Sequence, residues 1–348
     1  IGIPAAAVFF ALIAFETSLF SLLFFMFCFM FSMAFFRSQA VALMPEFVKP
    51  EHRSKANSII NMMSSISLIV IGLINIFLVD SSLQLSFITV SIIMVATLIV
   101  LILTVKETES YGWQLLMELE EKGLDEKVGQ KENISLKESF QTMLSEKDKS
   151  TLYMLLAIFF LSVGWYALRG LITAYGVEVL GLSRGIAGGI TIYAGISFLL
   201  AAFPMAVLAE KYGRRLFIKI GLIIFITTLI VGFFFQTLTA VIILFVLVGV
   251  GYAGIIVNTI VIVWALAPSE KQIGTYTGMY YVAAYSAAIF GPFLVGALTD
   301  VTGWEFFFLN GALFLIIALV FMFFVKREEA ELTEEQKQAK KRAIQETY

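Results

Sequence analysis

Two arginines sit inside long apolar runs, and their chemistry asks for an explanation first. Arg37 lies in Phe36-Arg37-Ser38-Gln39, ahead of Pro45. A helix leaving a membrane near 45–47 would place this guanidinium about 12–15 Å inside. A guanidinium near mid-membrane costs roughly 2.5 kcal/mol or more and normally faces a wet cavity or a partner. Its rigid fork of donors suits hydroxyls or a carboxylate; bonding to backbone carbonyls between helices is the structural alternative. Arg169 follows Gly164-Trp165-Tyr166 and precedes Gly170. The two glycines are expected to bend or break their helix. Trp165 or Tyr166 can then stack on a pyranose face while Arg169 holds hydroxyls, the alternative being an arginine that snorkels to the outer interface. Asn258, at the end of Gly249-Val250-Gly251-Tyr252-Ala253-Gly254-Ile255-Ile256-Val257-Asn258, offers either a substrate hydrogen bond or one between helices. The small residues before it suit close helix packing. Asn61, Asn75, Tyr193, Tyr280, Tyr281 and Tyr285 are further candidates of the same kind.

Other chemistries are short of parts. One histidine (His52) cannot build a metal cluster and one cysteine (Cys28) cannot close an internal disulfide. No Asp or Glu falls deep in an apolar run; Glu16, Glu46, Asp80, Glu178, Asp300 and Glu305 lie near the ends. A membrane enzyme would need clustered histidines or paired carboxylates facing one cavity, so no catalytic residue is assigned. The net charge of −2 leaves nucleic acid without an electrostatic footprint.

The elements that must carry these side chains follow from composition. Of 348 residues 59% are apolar and 14% charged, against about 25% charged in an ordinary soluble domain, and the mean hydropathy is +0.91. A soluble core has no room for so much apolar surface, so the solvent of this chain is the lipid bilayer. A spanning helix needs about 20 apolar residues. Nine runs qualify, at 17–44, 57–79, 84–105, 151–175, 187–208, 216–235, 240–264, 275–298 and 305–325, and 1–13 reads as the second half of a tenth. The reading is an all-α polytopic membrane protein. Its expected organisation is an incomplete helical half over 1–105, a charged central linker over 106–150, a complete six-helix half over 151–325 and a charged tail over 326–348. Alternate connections hold 21 of the 24 Lys and Arg residues, which predicts that the linker and tail are cytoplasmic. Ser135-x-x-Glu138 predicts a short capped helix over 135–145 in the linker. Asn133-Ile134-Ser135 has the form of a glycosylation acceptor, unused on the cytoplasmic side. The chain opens on Ile1 in mid-run, which reads as a start lacking the first two to three helices and not as a signal peptide.

Ala42-Leu43-Met44-Pro45 and Ala265-Leu266-Ala267-Pro268 each close a helix before a polar loop, the mark of a parallel duplication. Ala206-x-Leu208-Ala209-Glu210-Lys211-Tyr212-Gly213-Arg214-Arg215 resembles the signature loop of the major facilitator transporters, G-x-L-a-D-r-x-G-r-k, with Ala206 for the first Gly, Glu210 for Asp and Lys211 for the first basic residue. The resemblance covers essentially the whole chain. It implies two pseudo-symmetric six-helix halves with substrate bound between them near mid-membrane. It also implies a cytoplasmic gate made by Glu210, Lys211, Gly213, Arg214 and Arg215. The carboxylate would bind a loop cation and a neighbouring helix N-terminus, latching that side shut.

Phe36-Arg37-Ser38-Gln39-Ala40-Val41-Ala42-Leu43-Met44-Pro45-Glu46 with Pro50-Glu51-His52-Arg53-Ser54-Lys55-Ala56-Asn57 is similar to the fourth-helix region of sucrose transporters and related glycoside–cation symporters; Gln39 stands where they carry Pro or a small residue. That similarity implies secondary transport of a sugar such as sucrose or maltose, with a proton or sodium ion as coupling ion and its acid in the first two helices. Arg37, Trp165, Tyr166, Arg169 and Asn258 would bind the substrate. No cofactor is implied and no oligomer is required. A carrier of the same fold for another cargo, such as an exporter of hydrophobic compounds, suits the 34 phenylalanines. A non-transporting sugar sensor is the third reading.

Overall fold

In lipid every backbone N–H and C=O must be satisfied within the chain, which leaves helices as the way to use such apolar runs. The computed structural model describes residues 2–48, 53–110, 113, 114, 117, 149–267 and 272–327. They run as α1 (Gly2–Ile13), α2 (Leu19–Phe47), α3 (Arg53–Ile74, prolonged by a π-helical turn over Asn75–Val79), α4 (Leu83–Thr104), α5 (Ser150–Glu178), α6 (Arg184–Gly189), α7 (Thr191–Tyr212), α8 (Arg214–Phe234), α9 (Leu238–Ala265), α10 (Ile273–Thr302) and α11 (Phe307–Phe324). Among the described residues eight helical segments are long and apolar enough to cross a membrane. The protein is an all-α, multi-pass membrane protein.

Two local expectations change. α2 continues to Phe47, past the expected stop at Pro45; a proline in a last turn removes a single ladder bond there. α5 runs unbroken through Gly164 and Gly170. These glycines let other helices approach: a Cβ at 164 would meet Leu315 Cδ2 at 2.8 Å, and one at 170 would meet Pro292 Cγ at 3.4 Å. The run expected as one span over 187–208 lies within a single apolar segment, Arg184–Tyr212, with a turn at Ile190 between α6 and α7 after the permissive pair Gly188-Gly189. The linker helix over 135–145, Asn133 and the tail from 328 lie outside the described residues.

The chain forms two compact units, Ile1–Lys131 with Ile172–Ile196, and Glu132–Leu171 with Ser197–Tyr348. In the first, α1 packs on α2 and α4 through phenylalanines. Phe10 stacks on Phe87 with centroids 4.6 Å apart and tilts against Phe29 at 5.0 Å, and Ser91 Oγ donates to the Ala7 carbonyl at 2.8 Å. The end of α3 lies on α6 and α7 along a seam of glycines: a Cβ at Gly72 would fall 2.1 Å from Ile192 Cγ1, and one at Gly189 2.3 Å from Ile76 Cγ1.

A polar clasp closes the seam. Asp80, just past the π turn, accepts from Ser183 Oγ at 2.5 Å and from the Gly185 N–H at 2.8 Å. Ser183 in turn caps α6 by accepting from the Ile186 N–H. The Ser183 hydroxyl, then the Gly185 N–H, hold the Asp80 carboxyl below its ordinary range. A group lowered in the folded state contributes stability above its unfolded pKa, about 4, and loses it as pH falls through the lower folded value. The parent should therefore melt above Asp80→Asn at pH 7, and the two melting temperatures should converge as pH falls through the lowered folded value. A gap that is the same at both pH values would show that the charge of Asp80 does not act here.

In the second unit α8 and α9 cross with backbone against backbone, because Gly221 and Gly251 oppose one another. A Cβ at either position would fall 2.4 or 2.9 Å from the other residue's carbonyl oxygen. Lipid offers no hydrophobic drive between helices, so close approach and interhelix hydrogen bonds must hold them. Gly291 likewise brings α10 onto the Val163 carbonyl of α5. Trp264 Nε1 donates to Thr277 Oγ1 at 2.8 Å, and Asn310 Nδ2 donates to Thr299 Oγ1 and Thr302 Oγ1 at 3.1 and 2.9 Å. Ser150 Oγ accepts from the Lys326 and Arg327 N–H groups, tying the start of α5 to the end of α11. Large apolar side chains such as Leu200, Phe203, Ile289 and Phe293 remain exposed, as a lipid-facing surface requires.

Candidate functional site

Trp165 and Arg169 are four apart on α5 and so share one helical face. The Trp165 ring is buried and stacks on Tyr252 of α9, with centroids 4.0 Å apart and planes 16° from parallel. Its edge meets Phe225 of α8 at 6.3 Å, and Phe198 of α7 tilts against Tyr252 at 5.8 Å. The Arg169 guanidinium stands over the Trp165 ring at 5.6 Å, a cation–π arrangement that strengthens as water is excluded. Tyr166 is half-buried and lies close enough to Tyr252 and Tyr280 for their hydroxyls to interact electrostatically.

α10 adds a second aromatic row. Tyr281 and Tyr285, again four apart, stack at 5.3 Å and 11°, and Tyr280 meets Tyr281 edge-on at 5.3 Å while sharing a hydrogen bond with Thr259. Below Tyr252 lies an apolar cluster of Phe198, Ala202, Ala253 and Val257. The whole arrangement belongs to the second unit. It can offer the half-buried rings and hydroxyls of Tyr166, Tyr281 and Tyr285 to the flat face of a ligand, and meet a polar end with the exposed Arg169.

Asn258 is placed elsewhere. It is fully buried, its Oδ1 accepts from Arg214 Nη1 at 3.3 Å, and its Nδ2 donates to the Gly254 carbonyl at 2.8 Å. Of the two roles open in the sequence, the hydrogen bond between helices is the one observed. Asn258 belongs with the signature loop and not with the aromatic stack.

That loop is built from its turn outward. Gly213 has φ +103°, which a residue with a Cβ rarely adopts, and this sharp turn lets α8 begin directly after α7. Arg214 thereby sits at the positive end of the α8 dipole, an unfavourable place for a cation. Two partners compensate: Glu210 Oε1 lies 3.2 Å from Nη2, and Asn258 supplies the buried acceptor. The Arg214 side chain is 22% exposed and that of Glu210 61%, so the ion pair is screened while the amide contact is not. Arg215 Nη1 donates to the Lys326 carbonyl, and Lys211 lies over the Tyr212 ring at 5.2 Å. A recess of about 210 Å³ opens beside them, lined by Ala209, Glu210, Gly213, Arg214, Val261, Ile262 and Ala265.

Arg37 is in α2 by its backbone; its side chain lies outside the described residues. Phe198 and Phe225 were not singled out in the sequence. Nothing marks them among so many phenylalanines except spacing along α7 and α8, which many others share. Among the described residues no three His, Cys, Asp or Glu side chains gather as metal ligands.

The model of the Major Facilitator Superfamily matches the chain over residues 1–200 and 154–347. Multidrug resistance protein 3 of Bacillus subtilis (strain 168) is 30% identical over 132 residues, which is 38% of this chain and 25% of that protein. The aligned stretch thus spans a quarter of that relative's length. Among solved structures the chain is similar to a bacterial homologue of the human lysosomal transporter Spinster in an inward-facing and occupied conformation, with a TM-score of 0.66, 15% identity, and 95% and 83% of the two chains covered. It is also similar to the fucose:proton symporter of E. coli, with a TM-score of 0.61, 15% identity, and 94% and 82% covered. At that identity the two structures speak to the fold alone. With the family model matched over nearly its full length, the chain belongs to the Major Facilitator Superfamily, a family of membrane transporters and not of enzymes.

Proposed function

We propose that the chain is a secondary transporter that moves amphipathic organic compounds across the membrane by alternating access, holding them on the aromatic face of Trp165, Tyr166, Tyr252 and the α10 tyrosines, with Arg169 at the polar end. The observation that carries this reading is the stack of the buried Trp165 on Tyr252 with the Arg169 guanidinium over it, a rigid aromatic backing for the half-buried tyrosines that carries one exposed, strongly polar handle. Partial similarity to a multidrug resistance protein supports it. In this reading the linker and tail face the cytoplasm, where the positive-inside rule assigns them. The contacts of Arg214 with Glu210 and Asn258 steady the cytoplasmic ends of α7, α8 and α9 as the carrier changes state. The proposed organisation keeps the two helical halves at 1–105 and 151–325, joined by 106–150.

A second reading, sugar–proton symport, rests on the Arg37–Asn57 segment and on the same aromatic face, since a pyranose also stacks on Trp. The proton or sodium ion would be the coupling ion.

The test is transport in a host stripped of its own efflux pumps. Cells expressing the protein should retain less of at least one of three lipophilic dyes, one cationic, one neutral and one anionic. Trp165→Ala should weaken that effect about tenfold, since an aromatic pair and the ligand area it presents are together worth on the order of 1.4 kcal/mol or more. Unchanged retention of all three dyes, with sucrose or maltose accumulating in a protonophore-sensitive way, would replace this reading by sugar symport.

A further inference from the structure

Arg169 is poorly supplied with protein partners. Among the described residues it makes no hydrogen bond and no ion pair; its contacts are the Trp165 ring at 5.6 Å and an electrostatic interaction with Tyr252. The carboxylates of the described helices lie at their ends: Glu178 is the last residue of α5, Glu210 the third from the end of α7, and Asp300 the third from the end of α10. Glu210 is taken by Arg214. A ligand cation at the aromatic stack would therefore meet like charge from Arg169, with no described acid to offset it. Arg169 is exposed on α5, so a neutral ligand lying over its guanidinium would strip its water and put no counter-charge in its place, which is disfavoured. An anion removes both difficulties, because Arg binds carboxylates, sulfonates and phosphates through a planar fork.

We infer that the substrate of this site is an amphipathic organic anion, its apolar ring system lying on the half-buried tyrosines that Trp165 backs and its acidic group held by Arg169. The inference rests on the aromatic-site reading above and adds the charge of the cargo. Two sources share this chemistry, a free organic acid and the headgroup of an anionic lipid.

Binding of three labelled probes of one shape to the full chain in phosphatidylcholine vesicles tests it: 2-naphthalenesulfonate, 2-naphthyl glucoside and 2-naphthyltrimethylammonium, each corrected for protein-free vesicles. The sulfonate should bind at least about tenfold tighter than the other two, the size expected of a charge-assisted hydrogen bond. Arg169→Gln should erase that preference and Arg169→Lys should keep part of it. The lysine variant also serves as the second readout should the glutamine variant fail to fold. Phosphatidylglycerol added to the vesicles should displace the sulfonate if the natural anion is a lipid headgroup, and leave it bound if the anion is a solute. Equal affinity for the three probes, a preference for the cation, or a sulfonate preference that survives Arg169→Gln overturns the inference and leaves the aromatic site standing. Failure of all three to bind a protein that still melts cooperatively overturns the aromatic site and the inference together.

Discussion

Gly221→Leu should abolish the folded protein, the largest effect expected of any single change described here. The reason is a crossing without slack. A Cβ at 221 falls 2.4 Å from the Gly251 carbonyl oxygen and 2.7 Å from Ile255 Cγ1. The first of these atoms is backbone, so the clash is relieved only by moving α8 off α9. Alanine alone should cost about 1–3 kcal/mol, the usual range for overpacking. Leucine, which must open the crossing by the width of a side chain, should leave no monodisperse peak in size-exclusion chromatography. Gly251→Ala, with its Cβ 2.9 Å from the Gly221 carbonyl, should be milder than Gly221→Leu and in the same direction. Gly274→Ala is the comparison, because nothing lies within 4 Å of a Cβ there. It should be neutral, or stabilising by up to about 1 kcal/mol through the unfolded chain. Gly221→Leu protein that is monodisperse and melts with the parent would refute the account of the α8–α9 contact.

The spans could be read from the chain because lipid sets one simple demand, about 20 apolar residues per crossing, and composition reports it directly. The local punctuation could not. The π-helical turn at Asn75–Val79 and the separate short helix Arg184–Gly189 meet one another across the Asp80–Ser183 clasp. Those residues lie 103 positions apart, so no local pattern announces the contact. The sequence placed Asp80 correctly near a helix end, yet its use, to hold the start of another helix, depends on packing. Gly164 and Gly170 show the same limit in reverse. Their local meaning is flexibility, while their observed use is to admit Leu315 and Pro292 of other helices, a property of the partners.

The candidate site divides along the same line. That Glu210 would bind a cation of its loop was legible from the signature motif; that the cation is Arg214, across the turn at Gly213, was not. Trp165 and Arg169 stand four apart within the single helix α5 and so share a face. Tyr252 and Asn258 do not share one, and the structure sends them to different tasks: Tyr252 stacks on Trp165, and Asn258 meets Arg214 from 44 residues away. The sequence could say that a buried asparagine in a membrane helix needs a partner; it could not say which.

Asn258→Leu should be the most damaging change to the signature loop, more so than the loss of Glu210. Leucine fills the same volume but removes the acceptor of Arg214 Nη1 and the donor to the Gly254 carbonyl. Arg214 is then left at the positive end of α8 with the exposed Glu210 alone, and an exposed pair contributes about 0–1 kcal/mol. A buried hydrogen bond to a charged group is worth about 1.5–3 kcal/mol. The variant should therefore lose that much stability, and in the proposed role its transport should fall about tenfold or more as the two carrier states lose their balance. Asn258→Asp separates charge from packing, because it keeps an acceptor for Arg214 and strengthens it with a negative charge. It should melt near the parent and stay above Asn258→Leu. Glu210→Gln should lower the melting temperature least of the three. Melting curves and dye transport of the three variants, read together, decide the matter. Should Asn258→Leu melt and transport like the parent, the buried amide is not what holds Arg214, and the exposed carboxylate must be given that role.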